Sequence, residues 1–124
     1  MAKSPSIRAH SPLEKALEPC VRMCKSTLEA YRVDAESPTG ASAFAAVVLA
    51  LAGIDRAVES RYGDPAHDAS LLIAASLCRE AASSIRTYGL DPELLRCAGA
   101  CERAAHICEA AVRNAILTSR SSRS

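Results

Sequence analysis

The chain has no tryptophan and a single phenylalanine, Phe44, and aromatic residues make up only 3% of its 124 positions. A β-sandwich draws its packed faces from aromatic and β-branched side chains, so this composition argues against one. Neither charge sign is in excess, since 15 basic residues stand against 14 acidic ones. Such a balance offers no field to hold a nucleic-acid backbone. The opening stretch MAKSPSIRAH has no apolar segment of the kind a secretory leader needs. The longest apolar run, Ala41 to Ile54, covers 14 residues before Asp55 and Arg56 interrupt it. That is short for a bilayer span and predicts a buried helix. The expectation is a cytoplasmic protein with no nucleic-acid or membrane partner, able to form a homo-oligomer.

Catalytic patterns are missing as well. The sequence holds no phosphate-cradling glycine loop, no Gly-x-Ser-x-Gly elbow and no Glu-x-x-His pair of the di-iron type. Asp55, Glu59 and Arg61 follow helical spacing, but such charges ordinarily form a solvated face. A non-enzymatic protein is expected.

What the chain does have is alanine, leucine, isoleucine and valine, punctuated by Ser11-Pro12, Ser37-Pro38, Asp64-Pro65 and Asp91-Pro92. Serine or aspartate caps a helix N-terminus, and proline just inside it loses only an N–H that has no partner. Glu14 stands three residues after Ser11, completing a capping-box pattern. Gly63 and Gly89 sit where the preceding helices should stop, in the left-handed conformation glycine tolerates. These signals predict helices at about 12–35, 39–61, 65–88 and 92–118. Pro19 predicts a kink in the first of them or a start delayed to Glu18. The second segment is apolar almost all round, so it is expected to be the most buried. The fold class is all-α: an antiparallel up-down four-helix bundle over 11–118, with disordered segments at 1–10 and 119–124.

Six cysteines are distributed through this pattern. In a reducing compartment they are free thiols, metal ligands or redox groups, not structural bridges. At about 100° per residue, Cys97, Cys101 and Cys108 fall within about 40° of one another, as do Cys20 and Cys24. Cys78 lies on the apolar stripe of the third helix, so all of them face the core. Counting the rise from the helix starts puts Cys24, Cys78 and Cys101 near one level, Cys20 and Cys108 lower, and Cys97 above. A buried cysteine can serve as a small hydrophobe with no chemistry at all. A Cys-x-x-x-Cys pair on a helix also sets two sulfurs one turn apart, within reach of a single soft ion such as Cu(I) or Zn(II).

The stretch LCREAASSIRTYGLDPELLRCAGACERAAHICEAA, Leu77 to Ala111, resembles the C-terminal half of the cysteine-rich four-helix-bundle copper-binding proteins, and LEPCVRMCKSTLEA, Leu17 to Ala30, resembles their first helix. This is the DUF326 family, which includes the copper storage proteins. The resemblance implies thiolates lining a bundle and holding Cu(I), with Cys20, Cys24, Cys78, Cys97, Cys101 and Cys108 as the metal ligands. Ala82, Ile85, Ala104 and Ala105 stand where further thiols are usual in that family, and the second helix has no cysteine. Two unshared thiolates per ion would give about three ions in all. The expected function is copper buffering or sequestration in the cytoplasm, with zinc or no metal as alternatives. The rival readings are a structural or protein-interaction bundle whose cysteines are packing, and a thiol redox sensor using Cys20/Cys24 or Cys97/Cys101.

Other soft or titratable groups carry weaker signals. His106 falls on the face bearing Glu102, Arg103, Glu109 and Arg113, and is read as solvated. His10 and His67 lie near predicted helix starts, where either would guard an end of the bundle. Met23 follows Cys20 by three residues, and a thioether can assist Cu(I), although it serves equally as a filler.

Overall fold

A computed structural model describes residues 11–60 and 65–123, with side chains described as far as residue 114. Four helices account for most of this: α1 (Pro12–Ala30), α2 (Pro38–Glu59), α3 (Pro65–Tyr88) and α4 (Pro92–Arg123). A short 3-10 turn, Asp34–Glu36, joins α1 to α2, and no strand occurs among the described residues.

Capping follows the residue chemistry. Ser11 Oγ accepts the backbone N–H of Glu14, and Ser37 Oγ accepts that of Gly40, each with proline at the first helical position. Pro19 does not delay α1, which runs unbroken through it. It is exposed, so the carbonyl that loses its N–H partner can be met by water. The first helix ends at Ala30, earlier than the expected 35, because the chain turns at Tyr31 into the 3-10 segment. Gly89 ends α3 with its N–H on the Ile85 carbonyl, and its backbone is not left-handed. A Cβ there would lie 3.0 Å from Leu94 Cδ1, so close approach is the constraint at this glycine. The other expected stop, Gly63, lies outside the described residues, as do Asp64 and the segment 1–10. α4 continues to Arg123, past the expected end at 118.

The helices form a ring in which α1 packs on α2 and α4, and α3 packs on α2 and α4. Every neighbouring pair is antiparallel. On α3 and α4, Arg79 meets Glu109 and Arg86 meets Glu102, so a step of seven residues forward on one helix is seven backward on the other. Tyr31 stacks on Phe44 while Leu17, farther back on α1, shares a surface hollow with Ile54 and Val58 of α2. Phe44 meets Tyr88, whereas a Cβ on Gly53 would meet Ala74 and Leu77. Cys24 meets Cys101, and Tyr31 reaches Asp91 at the start of α4.

Small side chains fill the interior. The core holds Ala43, Ala50, Ala57, Ala74, Ala81, Ala98 and Ala105 beside Leu17, Ile54, Leu71, Ile85 and Leu94. α2 buries eight of its 22 residues, against eight of 24 in α3 and four of 19 in α1, yet Val48 and Leu49 on its outer face are 52% and 55% exposed. In a ring of four helices each occupies a corner, so even an apolar helix turns one side outward. α2 is also long and apolar enough to cross a membrane by composition, and under half of its most apolar window, 44%, is buried in the bundle. Three aromatic rings close one end. Phe44 stacks on Tyr31 at 5.7 Å and meets Tyr88 edge-on at 5.4 Å, while the two tyrosine hydroxyls donate to Asp91 and Asp34.

Candidate metal centre

The α1 stripe that turns inward is Leu17, Cys20, Cys24 and Thr27, at intervals of three and four residues. From α4 the inward stripe includes Leu94, Cys97, Cys101, Cys108 and Val112, and α3 contributes Leu71, Ala75, Cys78, Ala82 and Ile85. All six cysteines are free thiols and all are buried. The expectation that every one faces the core therefore holds.

Their mutual arrangement is more specific. Cys24 Sγ lies 3.6 Å from Cys101 Sγ across the α1–α4 interface, and 3.9 Å from Cys20 Sγ one turn away. The three sulfurs of Cys20, Cys24 and Cys101 all lie within 4.8 Å of one another. Each comes from a helix position fixed by packing, so the cluster does not depend on a loop. Cys97, one turn before Cys101 on α4, is buried but not part of this group.

Cys78 does not join Cys24 and Cys101 at one level, as counting from the helix starts had suggested. It lies toward the Cys108 end of α4 instead. The reason is register: with Arg79 opposite Glu109, Cys78 comes level with the Cys108 turn of α4. Helix starts are not at one height, and the count assumed they were. Cys108 lies below the three-sulfur group, and Cys97 lies above it. Of the six expected ligands, the structure thus gathers Cys20, Cys24 and Cys101 into one compact group and leaves Cys97, Cys78 and Cys108 outside it.

The proton affinities divide the thiols. Cys97 is drawn down to about 3, first by hydrogen bonding from Cys101, then from Cys24, with Thr27 adding to the effect and burial opposing it. Cys20 is also lowered, chiefly through Cys101, then Cys24 and Cys78. Cys101 is pushed up by its contacts with Cys20, Cys24 and Cys97. For Cys24 the contact with Cys101 lowers the affinity, but Cys20, Cys97 and burial together outweigh it. Cys78 is raised, first by Cys20 and then by burial, and burial lifts Cys108 to about 11. Cys24 lies between Cys20 and Cys101, and in each of these two contacts either sulfur can be the donor.

The remaining candidates fall outside the cluster. His106 is exposed, in keeping with its helical phase. His67 is buried at the end of the bundle remote from the aromatic cap, with Nδ1 2.5 Å from Ser60 Oγ. It borders a hollow of about 400 Å³ lined also by Leu13, Val58 and Ala111. Met23 is half-buried and packs on the core margin. His10 lies outside the described residues. Sequence reasoning missed Thr27, which follows Cys20 and Cys24 on the same stripe at i+7 and i+3; the spacing was there to be read, but a lone threonine on an apolar face draws no attention.

The arrangement amounts to a four-helix bundle with a buried cysteine cluster able to hold a metal ion. Among protein-family models, curated proteins and solved structures, none matches this chain.

Proposed function

We propose that the chain is a cytoplasmic Cu(I)-binding bundle that buffers or sequesters a few copper ions through its core thiolates. The observation that carries this reading is the group of three buried sulfurs, Cys20, Cys24 and Cys101, within 4.8 Å of one another. Thiolates are soft ligands and favour Cu(I), and an ion held by two or three sulfurs needs no further donor. Structural zinc asks for four ligands in a tetrahedron, and the compact group offers three. The degenerate likeness to copper storage proteins points the same way.

Titrating the fully reduced protein with Cu(I) against a competing chelator tests it. Uptake that outcompetes the chelator is expected, and Cys24→Ala should abolish most of it, because Cys24 contacts both other sulfurs. Binding no tighter than the chelator's would overturn the proposal. That outcome would favour a protein-interaction bundle with cysteines as packing, a reading supported by the exposed apolar side chains Val48 and Leu49 on α2 and Leu72 and Ile73 on α3.

A further inference from the structure

The three clustered sulfurs come from two helices, and their two close contacts differ in kind. Cys20 and Cys24 share α1, one turn apart, with sulfurs separated by 3.9 Å. Cys24 and Cys101 face each other from α1 and α4, 77 residues apart in sequence, with sulfurs separated by 3.6 Å. All three are free thiols. A disulfide requires about 2.05 Å between its sulfurs and about 3.8 Å between its Cβ atoms. Side chains at i and i+4 leave a helix in parallel, and their Cβ atoms stay about 5–6 Å apart while the helix is intact. Closing Cys20 onto Cys24 would therefore distort α1.

Cys24 and Cys101 are under no such constraint. They point at each other from separate helices, so side-chain rotation and a small shift of one helix bring the sulfurs together. The buried α4 side chains flanking Cys101 are Ala98, Ala104 and Ala105, so no bulky group there holds α4 away from its neighbours. The same-helix pairs that the sequence suggests, Cys20/Cys24 and Cys97/Cys101, are thus the less favourable ones to bridge. The cross-helix pair is the better placed.

We infer that Cys24 and Cys101 close into a reversible disulfide between α1 and α4, and that this state and the metal-bound state exclude each other. The bridge rests on the sulfur geometry alone, while the exclusion rests on the thiolate reading above. The oxidant is a peroxide. One sulfur attacks a peroxide oxygen: an S–O bond forms, the O–O bond breaks, and the departing hydroxide takes the thiol proton and leaves as water. The second sulfur then attacks the first; the S–S bond forms, the S–O bond breaks, and a second water carries off the second proton. Two thiols have lost two electrons and the peroxide has gained them. Both residues are completely enclosed, so entry of the peroxide sets the rate. Once bridged, neither sulfur is a thiolate able to hold a soft ion, and Cys20 is the one member of the cluster left to do so.

Treating the reduced, metal-free protein with hydrogen peroxide, then unfolding, alkylating and digesting it for peptide mapping, tests the bridge. The wild type should yield the Cys24 peptide joined to the Cys101 peptide, with the other four of its six cysteines alkylated. It should also run faster on a non-reducing gel, because the bridge closes a loop across 77 residues of sequence. Cys20→Ala should keep this bridge, and Cys24→Ala and Cys101→Ala should form no bridge within the chain. A Cys20–Cys24 bridge, oxidation to sulfinic acid, or linkage between two chains in place of the Cys24–Cys101 bridge overturns the inference. The wild-type map decides this even where a variant fails to fold. Anaerobic Cu(I) titration against a competing chelator tests the exclusion: the bridged protein should lose the uptake that the reduced protein shows, and dithiothreitol should restore it. Unchanged uptake by the bridged protein overturns the exclusion. If the reduced wild type takes up no Cu(I), the copper reading fails and the exclusion with it, while a mapped Cys24–Cys101 bridge stands.

Discussion

Cys101 shows how little room a buried thiol has to be replaced. Its residue is enclosed completely, and its sulfur lies 3.6 Å from that of Cys24 and within 4.8 Å of that of Cys20. Alanine at this position leaves a small apolar cavity, whereas serine nearly fills the space but brings a hydroxyl among weak sulfur acceptors. In a chelating buffer, Cys101→Ser should therefore melt lower than Cys101→Ala, by an amount of order 1 kcal/mol. Added Cu(I) should stabilise only the wild type strongly, since binding to the folded state alone raises stability. Thermal melts of the three proteins with and without one equivalent of Cu(I) provide the check. Equal stabilisation of all three would remove Cys101 from the ligand set.

Between residue and bundle, the elements are governed by where backbones come close. A Cβ on Gly40 would collide with the Asp34 carbonyl oxygen and lie 2.8 Å from Ser37 Oγ. The 3-10 turn is folded down onto the start of α2, and its carbonyl cannot shift without releasing the Ser37 cap. Gly40→Ala should cost about 1–3 kcal/mol, despite the better helix propensity of alanine. Gly99 is the internal control. A Cβ there would meet only Arg103 Nη1 at an ordinary 3.6 Å, so Gly99→Ala should stabilise α4 by about 0.5–1 kcal/mol. Urea unfolding of both variants should move the midpoint in opposite directions. Nothing in the sequence distinguishes the two glycines, because each sits within a helical pattern. Their difference comes from a turn that folds back, and the helical period says nothing about turns.

At the scale of the whole molecule, the inward phase of each cysteine and the four-helix division were legible, because both follow from local chemistry: capping serines, prolines and the helical period. The partnership of Cys24 with Cys101 was legible only as a shared level, and the level of Cys78 was misjudged, because height depends on how helices slide along one another. That sliding is set by long-range pairs such as Arg79–Glu109 and Tyr31–Phe44, which no local pattern announces. The aromatic cap was equally hidden, since its three rings come from α2, the end of α3 and the turn after α1.

The same enclosure of thiols gives the whole bundle a dependence on alkaline pH. Burial lifts Cys108 from 9.0 to about 11, and Cys24, Cys78 and Cys101 are also raised. An unfolded chain releases these protons near the ordinary thiol value, while the folded one retains them. The stability they contribute is complete below about pH 9 and is lost as pH climbs through their folded values, because the unfolded state then binds fewer protons. Cys20 and Cys97 behave oppositely: their contribution is complete above the ordinary thiol value and is lost only as pH falls through their lowered ones. Tyr31 and Tyr88 are raised too, first by burial and by their aspartate partner respectively, so they add to the alkaline loss at higher pH. Urea unfolding of the reduced protein from about pH 8 to about pH 11 should thus show falling stability above about pH 9. In Cys108→Ala the slope above that point should be shallower by up to one proton, about 1.4 kcal/mol per pH unit. An unchanged slope would mean that Cys108 ionises in the folded protein as it does in the unfolded chain, and that the lower part of the interior admits water.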